Sequence, residues 1–162
     1  GIPYAQPPLG NLRWRPPQPV KPWDVQKHAF NVLQTKAYIH GARLLRTRMA
    51  ARQSEDCLYL NVRTSSPLVL GRVSTHPARH PVDELLPVIV YIHGGDYHDG
   101  AGGSRPFYAA NALPLKGRVV LVTFNYRLGL IGHFTHPELS KEAEEEGRGK
   151  ISGNYGILDQ VK

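Results

Sequence analysis

The chain has 162 residues, 41% of them apolar and 9% aromatic, with 20 Lys+Arg against 13 Asp+Glu and one cysteine, Cys57. That length can bury a core of domain size, and the composition is not that of a disordered polypeptide. The lone cysteine excludes an internal disulfide framework and a cysteine-based zinc site, and no apolar run approaches the roughly 18–20 residues of a membrane helix.

The charge is uneven. Residues 1–54 hold nine basic groups and one acid, Asp24, a balance of +8, whereas residues 55–162 hold eleven basic and twelve acidic groups, a balance of −1. Seven of the 14 prolines fall within residues 1–22. Proline lacks a donor and fixes φ, so this lead-in reads as extended loop with one short edge strand at Ile2–Ala5. Residues 24–52 are mixed, with a helix expected around Ala42–Arg52. This is the densest basic stretch, and it reads as a solvated face. A nucleic-acid surface would interleave aromatics or present a known module, and neither is present.

Cys57–Arg63 (CLYLNVR) alternates as a strand does. Ser65–Pro87, with Pro67, Pro77 and Pro81, reads as a long loop. Pro87–Ile92 (PVIVYI) and Arg118–Phe124 (RVVLVTF) are nearly continuous β-branched and apolar sequence, the pattern of strands buried on both faces of a parallel sheet. Arg105–Lys116 has the length and apolar content of a crossover helix, completing a βαβ unit. Leu139–Gly147 reads as an acidic surface helix or loop, and a last helix begins near Tyr155 after Gly153-Asn154. The chain begins at Gly1 rather than Met and stops inside that helix, so it reads as part of a larger domain whose strands would lack their remaining neighbours.

The segment of greatest chemical interest is His93-Gly94-Gly95-Asp96-Tyr97, directly after the first apolar strand. Two glycines there let the backbone turn with N–H groups facing open space, where they can stabilise an oxyanion. Ligands of open parallel sheets also bind beyond the carboxyl ends of the strands. An ordinary glycine-rich strand-to-helix turn fits the dipeptide equally well.

Four segments, in order, resemble the type-B carboxylesterase/cholinesterase family of α/β-hydrolases: GIPYAQPPLGNLRW (residues 1–14), SEDCLYLNV (54–62), PVIVYIHGG (87–95), and NYRLG (125–129) with GNYGILDQ (153–160). The likeness implies an α/β fold with a mostly parallel central sheet and helices on both faces, of which residues 1–162 form the N-terminal part. It also implies a carboxylic ester substrate, no cofactor and no metal. Such enzymes use a serine nucleophile on a G-x-S-x-G elbow with acid and histidine partners. None of the seven serines here has glycine on both sides. The resemblance places the elbow after the GNYGILDQ segment and the other triad members later still.

What the resemblance assigns to this chain is an oxyanion hole in the run Gly94, Gly95 and Asp96, chiefly the N–H groups of Gly95 and Asp96. Active members usually carry Gly or Ala at the third position. The carboxylate of Asp96 would face a developing negative charge, a repulsion on the order of 3 kcal/mol at about 5 Å and an effective dielectric of about 20. A catalytically silent adhesion protein of the same family is therefore the alternative reading. The resemblance further implies two structural ion pairs, Arg13 with Glu55 and Arg127 with Asp159, and close packing at Gly129 and Gly132. In secreted relatives the Cys57 position is disulfide-bonded to an upstream cysteine. None stands here, so a buried thiol is expected, and the family's extracellular tendency is correspondingly weakened. His93, Asp96, His98 and Asp99 could suit a divalent ion by ligand type, but the glycines already account for the loop.

Overall fold

A computed structural model describes residues 1–22, 36–37, 53–64, 85–103 and 119–162. The helices expected at 42–52, the densest basic stretch, and at 105–116 lie outside these residues, as do residues 65–84 of the loop expected at 65–87. Six strands are defined: β1 (Ile2–Pro3), β2 (Lys36–Ala37), β3 (Gln53–Ser54), β4 (Tyr59–Arg63), β5 (Val88–Tyr91) and β6 (Val120–Phe124). Among the described residues three helices follow: α1 (Gly129–His133), α2 (Pro137–Glu145) and α3 (Tyr155–Val161), with a 3₁₀ turn at Gly10–Leu12.

The main sheet has the order β1-β4-β6-β5, and β2 pairs with β3 in a separate two-stranded ribbon. The two continuous apolar runs pair in parallel as expected, with Val88 opposite Val120 and Tyr91 opposite Thr123. β4 instead runs antiparallel to β6, Leu60 opposite Phe124, and β1 antiparallel to β4. The sheet is therefore mixed. Antiparallel strands tolerate one wetter face, which suits the alternating CLYLNVR sequence and a proline confined to the edge strand β1.

Burial on both faces of β5 is not observed. Val88, Ile89, Val90 and Ile92 are 60%, 40%, 58% and 49% exposed. β5 ends the sheet and has β6 as its one strand neighbour among the described residues. By contrast β6 is central, and Leu121, Thr123 and Phe124 are buried. The core gathers where β4 and β6 meet the N-terminal segment: Ala5, Cys57, Leu58, Phe124, Tyr126 and Leu128, with Tyr4 and Leu60 against them. The Tyr4 ring meets Phe124 edge-on at 6.0 Å, and its hydroxyl donates to the Asn125 carbonyl at 2.6 Å. Cys57 is a fully buried free thiol.

The acidic helix α2 starts two residues earlier than its charge pattern suggests. His136 caps it, its Nδ1 accepting from the Glu138 N–H, and Pro137 occupies the first turn, where a missing donor costs nothing. Arg15 pairs with both Glu142 and Glu146, tying the proline-rich lead-in to this helix. The single turn α1 falls where the sequence suggested only close packing.

Candidate functional site

β5 delivers the chain into the His93–Gly100 loop at its carboxyl end. Gly95 has φ +132°, and a Cβ there would lie 2.1 Å from the Asp99 carbonyl oxygen, so only glycine fits. Asp96 and Tyr97 follow with φ +54° and +55°, two successive non-glycine residues in the left-handed region. Each such residue costs of order 1 kcal/mol or more and persists where its surroundings fix it.

Those surroundings are specific. The Gly95 carbonyl accepts from the N–H groups of His98 (2.8 Å) and Asp99 (3.0 Å), and the Tyr97 carbonyl accepts from Gly129, the first N–H of α1, at 2.7 Å. The Tyr97 ring lies edge-on between Tyr126, at 6.2 Å, and His133, at 5.0 Å. His93 is buried, its ring stacked on Tyr126 with centroids 4.4 Å apart and planes 16° from parallel. The Tyr126 hydroxyl donates to the His93 carbonyl. Burial holds the His93 imidazole below the usual histidine range.

The N–H groups of Gly94, Gly95 and Asp96 donate to no acceptor among the described residues. Gly94 and Asp96 are exposed and Gly95 is half-buried, so the run opens to solvent beyond the end of β5. Asp96 is exposed, and water screens an exposed carboxylate. His98 and Asp99 are also exposed, and no group of three metal-ligating side chains forms among the described residues.

Behind the loop, segment 125–128 is anchored to α3. Arg127 Nε and Nη2 donate to the two carboxylate oxygens of Asp159 at 2.8 and 2.7 Å, and the Arg127 backbone N–H donates to Oδ2 at 3.0 Å. Both side chains are fully buried. The guanidinium also lies 5.5 Å from the Tyr155 ring centre. Gly132 packs so closely on the Arg127 carbonyl that a Cβ there would lie 2.3 Å from the oxygen. Arg13 and Glu55 form a bidentate pair at 2.8 and 2.9 Å, with Arg13 40% exposed.

The structure thus brings Gly94, Gly95 and Asp96 together as one turn and holds each predicted ion pair at hydrogen-bond distance. Tyr126 and Tyr97 are the residues that sequence reasoning passed over. Tyr126 lies within the NYRLG segment, yet nothing local to it signals contact with a loop thirty residues earlier.

A parallel strand pair with an open glycine turn at the carboxyl end of one strand, and a helix clamped behind the next, belongs to the α/β-hydrolase class. Solved structures bear this out. The chain superposes on a PNB esterase with a TM-score of 0.66 at 36% identity, covering 99% of this chain and 28% of that one. It matches a carboxylesterase of Geobacillus stearothermophilus with a TM-score of 0.68 at 33% identity, again over 99% of this chain and 28% of the other. The model of the carboxylesterase family matches residues 1–162, and the chain belongs to that family. It is 41% identical over 165 residues to the fumonisin B1 esterase of Sphingopyxis macrogoltabida, covering 99% of this chain and 26% of that protein. With the para-nitrobenzyl esterase of Bacillus subtilis the identity is 39% over 167 residues, covering 99% of this chain and 28% of that protein. The chain spans about a quarter of the length of these relatives.

Proposed function

We propose that this chain is the oxyanion-binding part of a carboxylic ester hydrolase that works by acyl transfer through a serine nucleophile. In this reading the N–H groups of Gly94, Gly95 and Asp96 receive the negative charge that builds on the carbonyl oxygen during attack. The nucleophile, its histidine base and the acid partner come from sequence outside residues 1–162. Histidine takes the serine proton, the alcohol leaves, and water repeats the sequence on the acyl-enzyme to release the acid. No cofactor or metal enters this scheme, and the substrate is a small-molecule ester.

The observation that carries the reading is the run of three backbone donors without acceptors among the described residues, presented at the carboxyl end of β5. A preorganised donor of this kind contributes roughly 2.7–4 kcal/mol to the barrier, about 10²–10³ in kcat. Among the described residues no helix is long and apolar enough to cross a membrane.

The test is hydrolysis of p-nitrophenyl acetate by the full-length protein carrying this segment, with labelling by a fluorophosphonate. Saturable hydrolysis lost on labelling supports the reading. Absence of both hydrolysis and labelling rejects it. Residues 1–162 expressed alone are expected to give no turnover above buffer.

A further inference from the structure

A peptide unit is planar and trans, so its carbonyl and its N–H point in opposite directions. No cis peptide occurs among the described residues. Whatever grips the carbonyl of one residue therefore aims the N–H of the next. Each of the three donor peptides is gripped in this way. The N–H of Asp96 shares its peptide with the Gly95 carbonyl, which accepts from His98 and Asp99. The N–H of Gly95 shares its peptide with the Gly94 carbonyl, which lies 3.1 Å from His93 Nδ1. The N–H of Gly94 shares its peptide with the His93 carbonyl, which accepts from the Tyr126 hydroxyl.

Two of these three grips depend on one side chain. We propose that Tyr126 is the positioning residue of the Gly94–Asp96 donor run: its hydroxyl fixes the His93 carbonyl, and its ring holds the His93 imidazole in place to fix the Gly94 carbonyl. The proposal rests on the reading of this run as an oxyanion hole.

The chemistry of the contact defines the histidine's form. A carbonyl oxygen can only accept, so the proton sits on His93 Nδ1. Nε2 is then the unprotonated nitrogen, and it is buried without a partner among the described residues. A cationic ring would place a second N–H in that same buried position, and burial opposes it. The space around the contact is equally restricted. A Cβ on Gly100 would lie 2.4 Å from His93 Nδ1 and 2.7 Å from the Gly94 oxygen, so this glycine, at φ +118°, leaves the contact intact. Tyr126 itself is buried and lies two residues beyond the end of β6, in the buried segment 125–128 that Arg127 anchors to α3, which gives the grip a firm base. It makes no contact with substrate in this scheme and acts through the backbone it holds.

The experiment uses the full-length protein with Tyr126→Phe, which keeps the stacked ring and removes the hydroxyl. Steady-state kinetics on p-nitrophenyl butyrate is paired with the inhibition constant of an aryl trifluoromethyl ketone, whose tetrahedral adduct carries the oxyanion. The expected result is a fall in kcat of about 10- to 100-fold with KM within about twofold, and a loss of ketone affinity by a similar factor. His93→Phe, which keeps a stacking ring without the donor, is expected to act in the same direction and serves if the first variant is insoluble. A kcat within twofold of the parent in the soluble variant overturns the proposal while leaving the ester-hydrolase reading standing. A fall in kcat with unchanged ketone affinity, or with a parallel rise in KM, also overturns it, because a general structural role gives that pattern. A parent protein that neither hydrolyses the ester nor binds the ketone removes the underlying reading itself.

Discussion

Replacing Asp159 by Asn tests the anchor behind the loop. In the parent, the carboxylate takes two guanidinium hydrogen bonds and the Arg127 backbone N–H, all within 3.0 Å and fully away from solvent. Asparagine keeps one acceptor oxygen, turns an NH₂ group toward a cation and deletes the countercharge. The sum of the lost bonds overstates the effect, because burying the pair was itself costly. The expected loss is the cost of an uncompensated buried guanidinium, about 3–5 kcal/mol. Among the described residues Arg127 Nη1 has no partner, and the contacts left to the guanidinium are neutral ones, the Tyr155 ring at 5.5 Å and the Tyr155 carbonyl at 3.4 Å from Nη2. The assay is equilibrium urea unfolding of the full-length protein, followed by far-ultraviolet circular dichroism. The double variant Arg127→Met/Asp159→Leu is expected to recover part of the loss. Recovery stays partial, since leucine leaves the Arg127 N–H without its acceptor, at about 1–3 kcal/mol. A loss below 1 kcal/mol for Asp159→Asn, or a double variant less stable than the single, would refute the reasoning.

Three further outcomes are expected. Arg13→Ala, which breaks an ion pair with an arginine 40% exposed, changes the unfolding free energy by less than about 1 kcal/mol in the same assay, despite bidentate geometry. Burial pushes the Cys57 thiol well above the ordinary cysteine range, so the native protein resists Ellman's reagent at pH 8 and yields this thiol only on denaturation. Burial also depresses the imidazoles of His93 and His133, so the unfolded chain binds protons that the folded chain does not. Stability therefore falls as pH drops below about 6.5, by at most about 1.4 kcal/mol per pH unit for His93, and His93→Phe flattens that slope when unfolding midpoints are compared from pH 7.5 to 5.

Local chemistry explains what the sequence disclosed. The continuous apolar runs located β5 and β6 and their parallel pairing, because that pattern reflects strands alone. The acidic helix was visible in its charges, but its start was set by the His136-Pro137 cap. Nothing marked α1, whose five residues include two glycines and which depends on docking, with Gly132 against the Arg127 carbonyl. The antiparallel register of β4 on β6 was equally hidden, since it joins residues sixty positions apart. Burial of β5 was inferred from its composition, but exposure depends on neighbours, and among the described residues this strand has one. In the loop, the glycines announced open N–H groups, whereas the hydroxyl and ring that aim them belong to Tyr126, in the segment after β6.

The exposed edge of β5 has a dynamic consequence. Among the described residues the donor loop hangs between two supports of unequal firmness: β5, which has β6 as its one strand neighbour there, and segment 125–128, buried and clamped to α3. Backbone amides in the first should exchange with deuterium well before those in the second. The geometry of Gly94–Asp96 is then inherited from the Tyr126 side, so fraying of β5 can proceed some way before the three N–H groups lose their aim.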